Sequence, residues 1–220
     1  MLFQILDLLS PPQIQDIYDR LQGLNLVDGR STAGWYARTV KGNEQVATPD
    51  PIGKEIKAEI TQALLANPLF QAAARPRRLH SLLMSRYRIG MSYGRHVDNA
   101  LMAGEYRSDL SFTVFLSDPQ TYGGGELVIE GADSEQAYKL AAGSAIVYPS
   151  TTLHRVEPIT EGERWAVVGW VESWIRHAEQ REILFDLETV QRSLFAQGGK
   201  TPEFDLVSKS LSNLLRQWLS

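Results

Sequence analysis

The chain has 220 residues, 43% of them apolar, and a formal net charge of −4. That length supports one hydrophobic core with appendages rather than two domains, and the acidic balance gives no basis for non-specific nucleic-acid binding. The absence of cysteine excludes disulfides, thiolate zinc or iron–sulfur ligation and a cysteine nucleophile.

Residues 1–9 are apolar, but Asp7 interrupts them and no basic leader precedes them, so they read as a strand or short helix of the folded domain. No apolar run approaches the ~20 residues of a membrane span. A cytoplasmic protein with no membrane or nucleic-acid partner is expected. Pro11-Pro12, after Ser10 as N-cap, opens a helix carrying Ile14, Ile17, Tyr18 and Leu21. Residues 29–48 are polar and glycine-rich, which predicts loop and short extended structure. Asp50-Pro51 repeats the helix-starting device before Ile56, Ile60, Leu64 and Leu65. The basic cluster Arg75-Pro76-Arg77-Arg78 lacks interleaved aromatics and reads as a solvated loop.

From residue 79 the pattern changes. Residues 79–89, 109–116, 126–129, 145–148, 154–156 and 164–171 are short, β-prone and separated by Gly, Pro, Asp or Ser. Leu127-Val128-Ile129-Glu130-Gly131 followed by Tyr138-Lys139-Leu140 predicts a hairpin. Seven or eight such strands without crossover helices fit a jelly roll, whose mouth can hold a site. Beyond Ser173 the periodicity is helical, with Ile175, Ala178, Ile183, Leu187 and Val190 recurring until Gly198-Gly199. Thr201-Pro202 then starts a second helix with Phe204, Val207, Leu211, Leu214, Leu215 and Trp218 on one face. These helices are expected to pack on the back of the sheet, with a homodimer interface as the alternative. The fold class is therefore α+β: a double-stranded β-helix (jelly-roll) core at 79–173, an N-terminal helical and loop flank at 1–78, and a C-terminal helical extension at 174–220.

His96-Val97-Asp98 carries the functional argument. On an extended strand, side chains two apart share a face. An imidazole from His154 would complete a two-His, one-carboxylate set, which suits non-heme Fe(II) because it leaves coordination positions open. Arg164, ten residues on, opens the apolar run Trp165-Ala166-Val167-Val168-Gly169-Trp170-Val171. A guanidinium inside a barrel needs a carboxylate partner, and an acidic cosubstrate would provide one bidentately. His80 and His177 lack a carboxylate at strand spacing and read as ordinary polar residues.

The stretches from Arg86 to Ala100, from Asp109 to Pro119, Tyr122-Gly123-Gly124-Gly125-Glu126-Leu127, and from Ser173 to Leu187 resemble the Fe(II)/2-oxoglutarate-dependent dioxygenases. Within them the likeness is to the PKHD-type hydroxylases, relatives of prolyl 4-hydroxylase catalytic domains. The resemblance implies that His96, Asp98 and His154 hold Fe(II), and that Arg164 binds the distal carboxylate of 2-oxoglutarate. It further implies that Tyr87 and Ser111 hydrogen-bond that same carboxylate. Asn99 and Trp170 are candidate pocket residues. The implied activity is hydroxylation of a C–H bond on a small-molecule or peptide substrate. It consumes O2 and 2-oxoglutarate, yields succinate and CO2, and uses L-ascorbate (vitamin C) as reductant. An association with bacterial iron uptake suggests a role in iron homeostasis. Residues 29–48 and 99–107 are the expected lids. Two alternatives stay open: a metal-binding cupin-like jelly roll, isomerase or ligand-binding, without oxygenase chemistry, and a structural protein built on the C-terminal helices.

Overall fold

Alternation along the strands sorts the apolar residues onto two faces and so fixes the layers. In the computed structural model, which describes residues 1–21 and 23–220, the first elements are β1 (Phe3–Ile5), α1 (Pro11–Leu21), β2 (Leu26–Asp28), β3 (Lys41–Gly42) and β4 (Glu44–Val46). Two helices follow, α2 (Pro51–Ala66) and α3 (Pro68–Ala74). The barrel strands are β5 (Pro76–Arg88), β6 (Ser92–His96), β7 (Leu101–Met102), β8 (Tyr106–Arg107), β9 (Leu110–Phe115), β10 (Gly123–Gly124), β11 (Leu127–Glu130), β12 (Glu135–Tyr138), β13 (Ala145–Pro149), β14 (His154–Val156), β15 (Ile159–Glu161) and β16 (Glu163–Ser173). The chain ends in α4 (Ala178–Gly198) and α5 (Pro202–Trp218).

The strands pair antiparallel into a seven-stranded sheet, β1-β13-β9-β16-β5-β4-β2, a five-stranded one, β12-β11-β14-β6-β3, and two separate pairs, β7-β8 and β10-β15. The jelly roll expected from the punctuated strands is therefore present. The first region does more than flank it. Its β1, β2 and β4 extend the larger sheet, and β3 extends the smaller one.

On β9, Leu110, Phe112 and Val114 face the helices and join Ile17, Leu21, Ile56, Ile60, Leu64 and Phe70 in the larger core. Truncating Phe70, which is fully buried, to Ala is expected to destabilise the fold by about 3–5 kcal/mol. The other face of β9 turns Ser111, Thr113 and Phe115 into the barrel, where Phe115 meets Tyr87, Leu127, Ile146 and Tyr148 in a second core.

The helix starts follow the sequence closely. Asp50 Oδ1 accepts from Gly53 N at 2.8 Å, and Asn67-Pro68 uses the same device for α3, with Asn67 Oδ1 accepting from Phe70 N at 3.0 Å. At α1 the bonding is reversed from a simple cap: Ser10 N donates to Gln13 Oε1 at 2.9 Å, the return half of a capping box. Arg75 to Arg78 are not free in solvent. Arg75 pairs with Glu188 at 2.8 Å, and Arg78 lies over the Tyr106 ring.

The C-terminal helices depart from expectation in placement. The sheet's outer face is already covered by α1, α2 and α3, so α4 packs on α3 and α5 instead. The buried seam is Ile175, Leu184 and Leu211, with Leu187, Leu214, Leu215 and Trp218 against it. Ile183 and Val190, expected on the buried face, are 45% and 47% exposed.

Candidate metal centre

Two neighbouring strands of the smaller sheet deliver the imidazoles. β14 and β6 pair so that His154 lies directly opposite His96, both side chains buried between the sheets. β6 ends at His96, so Asp98 sits just beyond the strand, not on it. The carboxylate still turns back onto the imidazoles. His96 Nε2 is 3.9 Å from Asp98 Oδ1, and His154 Nε2 is 3.9 Å from Asp98 Oδ2. Among the described residues this is the one group of three potential ligands, with donor atoms all within 4.8 Å of one another.

Backbone carbonyls orient both imidazoles. His96 Nδ1 lies 2.8 Å from the Gly94 carbonyl oxygen and His154 Nδ1 lies 3.0 Å from that of Thr152. Each carbonyl can only accept, so each Nδ1 carries a proton and each Nε2 is turned towards Asp98. Burial, then the neighbouring His154, pulls the His96 imidazole down to about 4 against the opposing charge of Asp98. It is uncharged at neutral pH, as metal binding requires. Aromatic faces fix both rings: Tyr93 stacks on His96 at 3.7 Å, and Tyr148 meets His154 edge-on at 5.1 Å. The donor set, two imidazole nitrogens and one carboxylate, suits Fe(II) and leaves room for further ligands.

Arg164 lies deeper in the same cavity, whose volume is about 260 Å³. It is 1% exposed, its Nε has no hydrogen-bond partner, and it enters no ion pair among the described residues. Its neighbours are aromatic: the guanidinium carbon is 5.3 Å from the Tyr87 ring and 5.4 Å from that of Phe115. A buried cation without a counterion is strongly disfavoured, so the arrangement fits a small dianion that enters with its own carboxylate. Tyr87 stands opposite Arg164 in the β5–β16 ladder. Burial pushes its phenol up, with Arg164 opposing, so it remains a neutral hydrogen-bond donor. A glycine makes the close approach possible. Gly125 has φ +70°, and a Cβ there would lie 3.1 Å from Arg164 Cδ and 2.5 Å from Ile159 Cδ1.

Ser111 sits elsewhere than the resemblance implies. Its partner across the β9–β16 ladder is Trp170, not a residue near Arg164, a separation along β16 of about 20 Å at ~3.3 Å per residue. The Ser111 hydroxyl instead donates to Asp98 Oδ2 at 2.6 Å and contacts Ser150 Oγ at 2.8 Å. Asn99 and Trp170 both line the cavity. His80 bonds the Arg107 carbonyl at 2.9 Å and His177 is exposed beside Glu179; neither approaches the centre. Sequence reasoning missed Lys41, Asn43 and Gln45, which reach the cavity from the first region. Lys41 comes from β3 and Gln45 from β4, strands too short to carry a pattern of their own.

Comparison with known proteins agrees with this geometry. The family model "2OG-Fe(II) oxygenase superfamily" matches residues 82–172. A PKHD-type hydroxylase of Picosynechococcus sp. is 58% identical over 218 residues, covering 99% of each chain. Among solved structures, a prolyl-4-hydroxylase of Pseudomonas putida aligns with a TM-score of 0.54 at 20% identity, over 78% of this chain and 92% of that one. A prolyl hydroxylase from Trichoplax adhaerens, in complex with a hypoxia inducible factor peptide fragment, aligns with a TM-score of 0.58 at 14% identity, over 83% and 86%. At such identities these two likenesses speak for the fold.

Proposed function

Because the chain belongs to the PKHD-type hydroxylases of the 2OG-Fe(II) oxygenase superfamily, and is thus a 2-oxoglutarate-dependent hydroxylase, we propose that His96, Asp98 and His154 hold its Fe(II) and that Arg164 and Tyr87 hold its cosubstrate. When bound, Fe(II), 2-oxoglutarate and O2 supply the oxidising chemistry that hydroxylates a substrate C–H bond and splits 2-oxoglutarate to succinate and CO2.

The protein's part is placement. His96 and His154 present Nε2 lone pairs held in register by the Gly94 and Thr152 carbonyls. Asp98 contributes one oxygen while Ser111 steadies the other. Arg164 would donate to the distal carboxylate as a fork, with the Tyr87 ring beside it. Tyr87, Phe115, Tyr122 and Tyr148 line or back the cavity and exclude water, which strengthens the ionic contact.

The observation that carries this reading is the buried Arg164 guanidinium, with its Nε unpartnered and no ion pair among the described residues, in the cavity of the three ligands. A cupin-like metal site without a dianionic cosubstrate has no use for it. The test is an anaerobic titration of 2-oxoglutarate into Fe(II)-loaded protein, following the visible charge-transfer band of bidentate chelation. A saturable band that disappears in His154→Ala supports the assignment. Metal retained by His154→Ala with an undiminished band would remove His154 from the ligand set.

The substrate on this reading is a small molecule or a peptide, and ascorbate serves to re-reduce oxidised metal. A role in iron homeostasis and a cytoplasmic location complete the proposal. No helix of the described residues is long and apolar enough to cross a membrane.

A further inference from the structure

Among the described residues Lys41 is the one lysine lining the cavity, and neither metal nor cosubstrate accounts for it. β3 sets Lys41 opposite Tyr93, and its side chain turns inward until the residue is 5% exposed. Lys41 Nζ lies 5.0 Å from the centre of the Tyr93 ring, and that ring stacks on His96 at 3.7 Å. A single aromatic ring therefore separates the ammonium from a proposed metal ligand.

The hydrogen bonding of this ammonium is incomplete. It donates to Thr32 Oγ1 at 3.0 Å, and that hydroxyl donates onward to Gln45 Oε1 at 2.7 Å. An ammonium has three donors. No carboxylate of the described residues forms an ion pair with it. Asp98 and Asp28 act on it only from longer range, and Asp98 is committed to the metal in the reading above. Trp170 Nε1, a buried donor without a partner, lines the same cavity. Buried donors in this state call for an acceptor that the chain does not provide. The cosubstrate would be held by Arg164 in the reading above and leaves Lys41 without an assignment.

We propose that Lys41 receives a carboxylate of the primary substrate and holds it one aromatic ring away from the metal. This rests on the assignment of His96, Asp98 and His154 as the metal site and of Arg164 as the cosubstrate anchor. It makes the primary substrate an acid and gives residues 29–48 a defined part in selecting it. Lys41 remains largely protonated at neutral pH even though burial lowers it to about 8.

The experiment uses full-length protein loaded with Zn(II), which binds without turnover, and saturated with 2-oxoglutarate. Saturation-transfer NMR then compares N-acetylglycine with its neutral amide. Wild type is expected to bind the acid in the millimolar range and to ignore the amide. Lys41→Met should weaken the acid by about tenfold or more, whereas Lys41→Arg, which keeps the charge, should stay within about threefold. Thermal melts of both variants verify folding. Equal binding of acid and amide, no binding of the acid by folded wild type, or unchanged binding in Lys41→Met overturns the proposal. The 2-oxoglutarate affinity of Lys41→Met, read in the same samples, should match wild type. A loss as large as that of Arg164→Met assigns Lys41 to the cosubstrate instead and also overturns it. Failure of wild type to bind Zn(II) and 2-oxoglutarate at all refutes the metal-centre assignment itself, and this proposal with it.

Discussion

The Ser111 hydroxyl donates to Asp98 Oδ2 at 2.6 Å, and the β9 strand thereby holds a carboxylate that lies beyond the end of β6. Asp98 has no ladder to fix it, so its orientation depends on this bond from the opposite sheet. Ser111→Ala is expected to lower Fe(II) affinity by roughly 10- to 100-fold, the usual effect of removing a partner of a metal ligand. Competition with a metal-sensitive chelating dye reads this directly. Unchanged metal affinity, with weakened 2-oxoglutarate, would restore Ser111 to the cosubstrate.

Arg164→Met should spare the metal and weaken 2-oxoglutarate by roughly 30- to 5,000-fold, the 2–5 kcal/mol typical of truncating one side of a buried charge pair. Anaerobic titration of the metal-loaded variant gives the number. A change below about twofold in cosubstrate affinity would sink the role assigned to Arg164.

Gly125→Ala combines an unfavourable positive φ with a Cβ too close to Ile159 Cδ1 and Arg164 Cδ. Strain of about 1–3 kcal/mol is expected in a denaturant melt. The same contact displaces the Arg164 side chain, so KM for 2-oxoglutarate should rise while metal affinity is kept. A variant with wild-type stability and KM would show that the glycine turn does not set the position of Arg164.

Lys41 also predicts a pH dependence in the metal-free protein. Burial lowers its pKa to about 8 from the ordinary 10.5, while Asp98 and Asp28 pull the other way. Tyr93, which faces it, is raised by burial and stays neutral, and His96 is uncharged above about 4. Between pH 8 and 10.5 the unfolded chain therefore binds more protons at Lys41 than the folded one, so this residue makes stability rise with pH across that window. At pH 7 the full penalty is present. Lys41→Met should accordingly stabilise the metal-free protein at pH 7 by on the order of 1–3 kcal/mol, with the advantage shrinking towards pH 10.5. Destabilisation at pH 7 would mean that the Thr32 bond and the Tyr93 contact outweigh burial of the charge.

Much of the molecule was legible in the residues, for identifiable reasons. Asp50-Pro51 and the alternating Leu110-Ser111-Phe112-Thr113-Val114-Phe115 state their structure locally, through capping and period two. His96, Asp98 and His154 could be grouped because few residue types bind metal and their order matched a known pattern. Ser111 and Lys41 could not be placed that way. The position of Ser111 depends on the β9–β16 register, which pairs it with Trp170 far from Arg164. Lys41 enters the cavity through β3, a strand of two residues added at the edge of the smaller sheet, and nothing local marks so short a strand. The exposure of Ile183 and Val190 has a similar origin. Which stripe of α4 is buried was decided by α3 and α5, not by its own periodicity.

The pairing of His154 with His96 across two adjacent strands has a consequence for the newborn chain. When β6 leaves the ribosome, His96 and Asp98 offer only an incomplete claw, since the third donor is still to be synthesised. The claw closes in the same event that zips β14 onto β6. With these three residues as the proposed ligands, a partly made or misregistered chain has no three-toothed grip with which to scavenge metal, and metal capture would report that this part of the barrel has closed correctly.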